Sequence, residues 1–159
     1  ATNEVNKLAE LASDNYVNTR TFFNQLVDKL TIDFKDDDLD DTQFAIHRLR
    51  ELALTGLNDI GPADPNYSPN QQAEFRFFVG FAHLLGGEVF KTLPMTIGGP
   101  AATQEENLNA AVEQFSEGLK VATDDFTKAS LLLARARAHY RLGNQQEAVT
   151  DAQAVIALD

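Results

Sequence analysis

Residues 128–159 read KASLLLARARAHYRLGNQQEAVTDAQAVIALD, and this stretch decides the fold. Apolar and small side chains recur in it at steps of three and four residues, which is the spacing of one face of an α-helix. The pattern is interrupted at Gly143-Asn144, where glycine supplies the positive φ that a tight turn between two helices needs. The small side chains of Ala136 and Ala148 allow close crossing of the two segments. The stretch is therefore predicted to form an antiparallel helix hairpin.

The same helical spacing continues towards the N-terminus. Two segments begin with a capping box, Ser68 with Gln71 and Thr103 with Glu106, in which each polar side chain binds the backbone of the other residue. No alternation of period two is long enough for a strand, so the predicted class is all-α. Six helices are predicted, at about residues 3–31 (with a break near 13–15), 42–55, 69–91, 103–122, 125–142 and 145–158.

Single residues predict the boundaries of the second helix. Asp41 or Thr42 is expected as the N-cap, because side-chain oxygens of these types accept from the first free N–H groups of a helix. Gly56 stands where a left-handed residue ends many helices. Residues 57–67 contain Gly61 and two prolines, so a loop is expected there.

The composition excludes several classes of protein. The chain has 159 residues, of which 43% are hydrophobic, and this fits a single globular domain spanning residues 1–159. Its 13 Lys and Arg against 24 Asp and Glu give a net charge of −11, which repels phosphate backbones, so nucleic acid is not an expected partner. No apolar run approaches the roughly 18 residues of a transmembrane helix. Without cysteine, disulfides and thiolate metal sites are excluded.

The closing hairpin resembles a tetratricopeptide repeat. Leu132 stands at the large position of the first helix, and Ala136 and Tyr140 stand at its small and aromatic positions. Arg135 stands where the repeat usually has leucine, and Val155 where it usually has alanine. The resemblance implies antiparallel helix hairpins stacked in a right-handed superhelix of about six helices.

A longer run, covering about residues 42–159, is similar to the helical half of SusD/RagB-type proteins. It comprises an Arg/Phe-rich helix at 74–90, then Leu93-Pro94-Met95, then a helix at 103–122 and the closing hairpin, in the family's order. The resemblance implies a non-catalytic lipoprotein that captures glycans or other nutrients above a TonB-dependent transporter. It implies a place in the cell envelope, at the outer-membrane surface or in the periplasm. The cysteine that would carry the lipid anchor is not among these residues, which is consistent with a piece of a longer protein.

Two other interpretations stay open. One is a generic tetratricopeptide adaptor whose concave face holds a peptide or a partner protein. The other is an enzyme, suggested only by the acidic segment described below and by the nearby His83 and Glu88. The sequence contains neither a nucleophile elbow nor a phosphate-binding loop. We therefore expect no catalytic residue and no cofactor, and the SusD/RagB resemblance transfers no ligand-binding residue.

The segment Asp33–Asp41 contributes −5 of the net charge of −11. Its alternating aspartates are typical of a calcium-binding loop, since calcium takes several carboxylate oxygens from one loop. An EF-hand would need glycine at position 41 and glutamate at position 47, where the chain has aspartate and His47. We expect a solvated acidic loop that caps the next helix, and cation binding by Asp33–Asp41 stays undecided.

Other polar and aromatic candidates have a structural and a functional interpretation. No second histidine lies one helical turn from His47, His83 or His139, so a structural role is expected for each rather than metal binding. Tyr67, in the proline-rich loop, could stack on a sugar ring, although loop packing is the simpler expectation.

Four arginines form a further candidate surface. Arg135, Arg137 and Arg141 lie along one predicted helix and, together with Arg76, could face an acidic partner. Their alternative is a solvated helix face that needs no partner.

Overall fold

The structure is a computed structural model that describes residues 2–13, 27, 29 and 37–158. Its regular structure in these ranges is helical, apart from an isolated bridge between Thr92 and Thr103. The predicted all-α class with about six helices is confirmed. The helices are α1 (Thr2–Ala12), α2 (Asp37–Thr55), α3 (Pro69–Val89), α4 (Gln104–Val121), α5 (Asp125–Leu142) and α6 (Gln145–Ile156). Among the helices of the described ranges, none combines the length and apolar content needed to cross a lipid bilayer.

Contacts within the chain divide it into two compact units, Ala1–Ile46 and His47–Asp159, where the sequence predicts one domain. In the first unit, Leu8 of α1 packs with Val27 and Leu39 in a small apolar cluster. α1 ends next to the break predicted near residues 13–15. The predicted continuation of this helix over residues 14–26 lies outside the described residues.

The start predicted for the second helix is wrong. α2 begins at Asp37, so Asp41 and Thr42 lie inside it, and the side chain of Thr42 is fully buried rather than capping. Carboxylates in the first turns of a helix are stabilised by its dipole, so the C-terminal part of the acidic segment favours helix instead of loop.

The end predicted for the second helix is also wrong. The chain continues past Gly56 as a π-helix, Gly56–Ile60, and one further turn, Gly61–Ala63. Close packing, and not a left-handed φ, requires the two glycines. A Cβ on Gly56 would lie 2.3 Å from Cε1 of Phe75, and one on Gly61 would lie 2.5 Å from Cζ of Tyr67. The loop predicted from residue 57 is therefore helical as far as residue 63.

Local signals predict the remaining helix ends correctly. Both capping boxes are formed, at Ser68 for α3 and at Thr103 for α4. The side chain of Asp124 accepts from the backbone N–H of Thr127 and caps α5, and this bond lowers the pKa of Asp124. Gly143 ends α5 with φ 81°, the left-handed conformation that the tight turn into α6 requires.

The second unit stacks its helices in chain order, as predicted for antiparallel hairpins. Each of α3, α4 and α5 packs against the next helix, and α3 also contacts α5. The handedness of the superhelix stays a prediction. The buried core lies between these helices and consists of Ala73, Leu84, Leu108, Ala111, Phe115, Leu131, Ala134 and Ala138.

Glycines on α3 allow its neighbours to approach its backbone. A Cβ on Gly80 would lie 2.7 Å from Cε1 of Phe115, a ring that is fully buried. Similar approaches occur at Gly86, against Leu93, and at Gly87, against Leu108. α3 is therefore buried on more than one face, as its apolar pattern predicts.

Replacement of Gly80 by alanine tests this packing. At an exposed helix position the change would stabilise the protein by about 1 kcal/mol. Here we expect Gly80→Ala to lower the free energy of unfolding by about 1–2 kcal/mol, because overpacking against Phe115 outweighs the helix propensity. Urea denaturation followed by circular dichroism measures the change. Asn109→Ala, at an exposed position of α4, is the control, and a Gly80→Ala chain as stable as the native one would contradict the close packing.

Candidate functional site

The candidate site is an apolar groove between α3 and α5, called the α3–α5 groove below. Two adjoining cavities of about 350 and 290 Å³ share Phe77 and Ser130 in their walls. The two cavities adjoin at these residues, and the α3–α5 groove comprises both. Its apolar walls are mainly Phe77, Phe78 and Phe81 from α3, with Phe126 and Leu133 from α5.

An aromatic cluster joins the groove to the core. The ring centroid of Phe77 lies 5.4 Å from that of Phe78 in an edge-to-face arrangement and 5.6 Å from that of Phe81 in a stacked one. On its inner side Phe77 lies 6.0 Å from Phe115 of the buried core. These contacts hold the α3 wall of the groove in place without any ligand.

Large apolar side chains of the groove remain exposed to solvent. Phe126 is 82% exposed, Leu133 55% and Phe78 43%. Sequence reasoning missed this site, because helical spacing shows that a residue shares a face with its neighbours but not whether another helix covers that face. The sequence does contain a signal that Phe126 is exposed. Phe126 follows Asp124, the N-cap, and Asp125, and two charged side chains keep the start of a helix near solvent.

Arg135, one of the four arginines that could face an acidic partner, binds within the chain. Its Nε and Nη2 donate to the two carboxylate oxygens of Asp151 on α6, at 2.8 and 2.7 Å, and its Nη1 donates to Ser116 Oγ at 3.0 Å. Asp151 is buried, so this ion pair connects α5 to α6 below the protein surface.

The other three candidate arginines also have partners within the chain, although the side chains of Arg137 and Arg141 remain about half exposed. Arg137 makes a bidentate pair with Glu88, at 2.8 and 2.5 Å, and Nε of Arg141 lies 3.7 Å from the same carboxylate. Nη1 of Arg76 donates to Gln114 Oε1 at 2.8 Å. Together, Arg137, which lines one end of the groove, and Arg141 place two guanidinium groups on one carboxylate.

His83 has a structural position. It is buried, with Nδ1 3.3 Å from Oδ1 of Asn107. The amide nitrogen of Asn107 donates to the backbone oxygens of Leu93 and Thr103, at 2.9 and 3.1 Å. Burial lowers the pKa of His83, and its hydrogen bond with Asn107 opposes this change. The histidine thus belongs to the network that fixes the connection between α3 and α4.

The other two histidines lie at separate places. Burial and the nearby Arg50 lower the pKa of His47, whose Nδ1 is buried without a hydrogen-bond partner. His139, near the end of α5, lies 3.4 Å from the side-chain nitrogen of Asn144. Within the described ranges no three His, Asp or Glu side chains are grouped as a metal site requires.

The Leu93-Pro94-Met95 segment is tied into the fold by polar contacts. The backbone N–H of Leu93 donates to Ala102 O at 2.8 Å. Nη1 of the buried Arg50 donates to Pro94 O at 3.3 Å. The segment is therefore a structural junction between α3 and α4.

The sugar-stacking interpretation of Tyr67 is not supported by its surroundings. Its ring packs on Gly61, and its centroid lies 6.2 Å from that of Phe75. The hydroxyl oxygen is buried without a partner, and burial raises its pKa. Tyr67 therefore serves loop packing, the simpler of the two expectations.

In the acidic segment, residues 37–41 are helical, and Asp33–Asp36 lie outside the described residues.

The ion pair between Arg135 and Asp151 is tested by removing one charge and then both. Arg135→Leu should lower the free energy of unfolding by about 3 kcal/mol, because a buried carboxylate loses its guanidinium. The double variant Arg135→Leu/Asp151→Ala should recover most of this loss, since no unpaired charge remains. Urea denaturation of both variants measures the difference. A double variant no more stable than Arg135→Leu would show that the pair does not carry the effect.

The buried histidine predicts a pH dependence of stability. Because the pKa of His83 is lowered in the folded state from its ordinary value of 6.5, the unfolded chain takes up this proton first as the pH falls. Stability should be full above pH 6.5 and decrease below it, by at most about 1.4 kcal/mol per pH unit for this histidine. Urea denaturation between neutral pH and pH 5 should give a shallower decrease for His83→Gln than for the native chain or a His139→Gln control. Equal slopes would contradict the assignment.

No family model, curated protein or solved structure shows significant similarity to this chain. Its function is therefore inferred from the α3–α5 groove and from the chain's own sequence pattern.

Proposed function

We propose that this chain is a non-catalytic binding scaffold and that it holds a protein partner in the α3–α5 groove. The observation that carries the proposal is the exposure of Phe126 and Leu133 on one wall of the groove and of Phe78 on the other, the α3 wall that the core supports. Contiguous apolar side chains left exposed on a folded chain are typical of protein interaction surfaces.

The hydroxyl groups of the groove favour a polypeptide over a sugar as its occupant. The hydroxyl of Ser130 donates to Phe126 O at 2.9 Å. The hydroxyl of Thr127 donates to Asp124 Oδ2 at 2.9 Å and accepts from Asn70 at 3.0 Å. Both hydroxyls are therefore already used, whereas a sugar site needs free hydrogen-bonding groups around its aromatic rings. An apolar polypeptide face needs none.

The SusD/RagB resemblance suggests the cellular setting of this scaffold, that is, its location and the assembly it belongs to. In that setting the protein lies in the cell envelope, at the outer-membrane surface or in the periplasm, and captures a glycan or other nutrient together with a TonB-dependent transporter. The groove would hold a segment of that assembly, and the nutrient would be bound outside the groove. The order of the helices and the Leu93-Pro94-Met95 junction, fixed by Arg50 and Asn107, support this setting.

The same exposed groove favours a second candidate function. In a generic tetratricopeptide adaptor, it would hold a peptide or partner protein outside any transporter assembly. Detergent-phase partition of the endogenous protein separates the two candidates, because a lipid-anchored species enters the detergent phase and an unanchored adaptor stays in the aqueous phase.

Copurification from the solubilised envelope of the source cells tests the role of the groove. The tagged native chain should capture a TonB-dependent transporter, identified by mass spectrometry, and the double variant Phe126→Ser/Leu133→Ser should lose it. Since both side chains are exposed, their replacement should change the free energy of unfolding by no more than about 0.5 kcal/mol. Ile156→Ser, at a 74% exposed position of α6, is the matched control and should retain the transporter. Equal capture by all three chains would contradict docking in the groove.

A further inference from the structure

The direction of the α3–α5 groove follows from contacts at its two ends. At the start of both helices, Nδ2 of Asn70 donates to Thr127 Oγ1 at 3.0 Å. At the other end, Glu88 of α3 pairs with Arg137 of α5. α3 and α5 therefore run parallel. Between Glu74 and Leu84, the first and last residues of α3 that line it, the groove extends for about 15 Å, given a rise of 1.5 Å per residue.

The walls of the groove have the spacing of helix-packing ridges. On α3, Phe78 follows Glu74 by four residues, and Phe81 follows Phe78 by three. On α5, steps of four, three and four residues lead from Phe126 to Arg137, through Ser130 and Leu133. Rows at these steps accept the ridges of another helix, and a groove between two helices is a common binding site for an amphipathic helix.

Opposite charges lie at the two ends of the groove. At one end, the exposed carboxylate of Glu74 accepts only from the amide of Asn70, at 3.4 Å, and no described lysine or arginine pairs with it. At the other end, the exposed guanidinium groups of Arg137 and Arg141 both lie at the single carboxylate of Glu88. The apolar walls between the ends carry no charge.

We infer that the α3–α5 groove docks an amphipathic helix of the partner that runs antiparallel to α3 and α5. The acidic first turn of this helix lies at Arg137 and Arg141, its apolar stripe contacts Phe78, Phe126 and other groove residues, and its basic last turn lies at Glu74. Acidic residues in the first turn and basic residues in the last turn also stabilise the partner helix itself. The inference rests on the proposed function of the groove as a protein-binding surface.

Two synthetic peptides test the direction. Each is about 16 residues long, with capped ends, an alanine background and leucine or phenylalanine at every third or fourth position. The forward peptide has glutamates in its first turn and lysines in its last, and the reversed peptide has these charges exchanged. Fluorescence anisotropy gives the dissociation constant of each, and the forward peptide should bind about fivefold more tightly to the native chain.

The reversed peptide also forms the less stable helix, which by itself weakens its binding. Charge variants of the chain separate this effect from the charges of the groove, because the helicity of the two peptides does not depend on the protein variant. Glu74→Lys should lower the ratio of the two affinities by about fivefold, and adding Arg141→Glu should lower it further. Glu113→Lys makes the same charge change at an exposed position on α4, outside the groove, and should leave the ratio unchanged.

Two outcomes would overturn the inference: no binding of either peptide, or an affinity ratio that Glu74→Lys does not change. Failure of the proposed function gives a different result. If Phe126→Ser/Leu133→Ser abolishes transporter capture while Glu74→Lys leaves the peptide ratio unchanged, the inference fails and the proposed function stands. If the peptide preference responds to Glu74→Lys but transporter capture never depends on the groove, the helix-docking surface stands and its proposed partner is wrong.

Discussion

The close approach of other side chains to the backbone of α3 is the constraint on which the second unit depends. At Gly80, Gly86 and Gly87 the absence of a Cβ lets Phe115 and Leu108 of α4, and Leu93 of the connecting segment, reach the helix backbone. This contact places α4 against one face of α3, and α5 then packs on α4. A second face of α3, with Phe77 and its neighbours, is left beside α5 and forms the groove wall.

Polar contacts determine how the helices are connected once the apolar faces have met. Asn107, beside the buried His83, binds backbone oxygens of the segment between α3 and α4, and Arg50 binds the same segment from α2. Arg135 and Asp151 play the corresponding part between α5 and α6. Each of these groups would be costly to bury alone, so each is stable only when its partner is in place. Such networks favour one arrangement of a hairpin over others of similar apolar burial.

The groove combines features that neither a core nor an ordinary surface has. Its inner wall is supported by stacked aromatic rings, yet Phe126 and Leu133 remain exposed. Its hydroxyl groups are occupied by hydrogen bonds within the protein, and its charged side chains lie only at the ends. When a partner binds such a surface, the apolar middle of the groove is buried against it, and the charges at the ends determine its orientation. Polar rims give specificity to apolar interfaces in the same way.

The sequence by itself determined the features that depend on neighbours along the chain. The all-α class, the capping boxes at Ser68 and Thr103 and the left-handed Gly143 could all be predicted, because each rests on contacts within four or five residues. Only the tertiary structure decided whether a glycine ends a helix, as Gly56 was expected to do, or admits the ring of Phe75. It also decided that the candidate arginines have internal partners and that the phenylalanines of α3 line a groove. Those outcomes depend on residues from distant parts of the chain, such as Glu88 for Arg137, whose proximity local spacing does not determine.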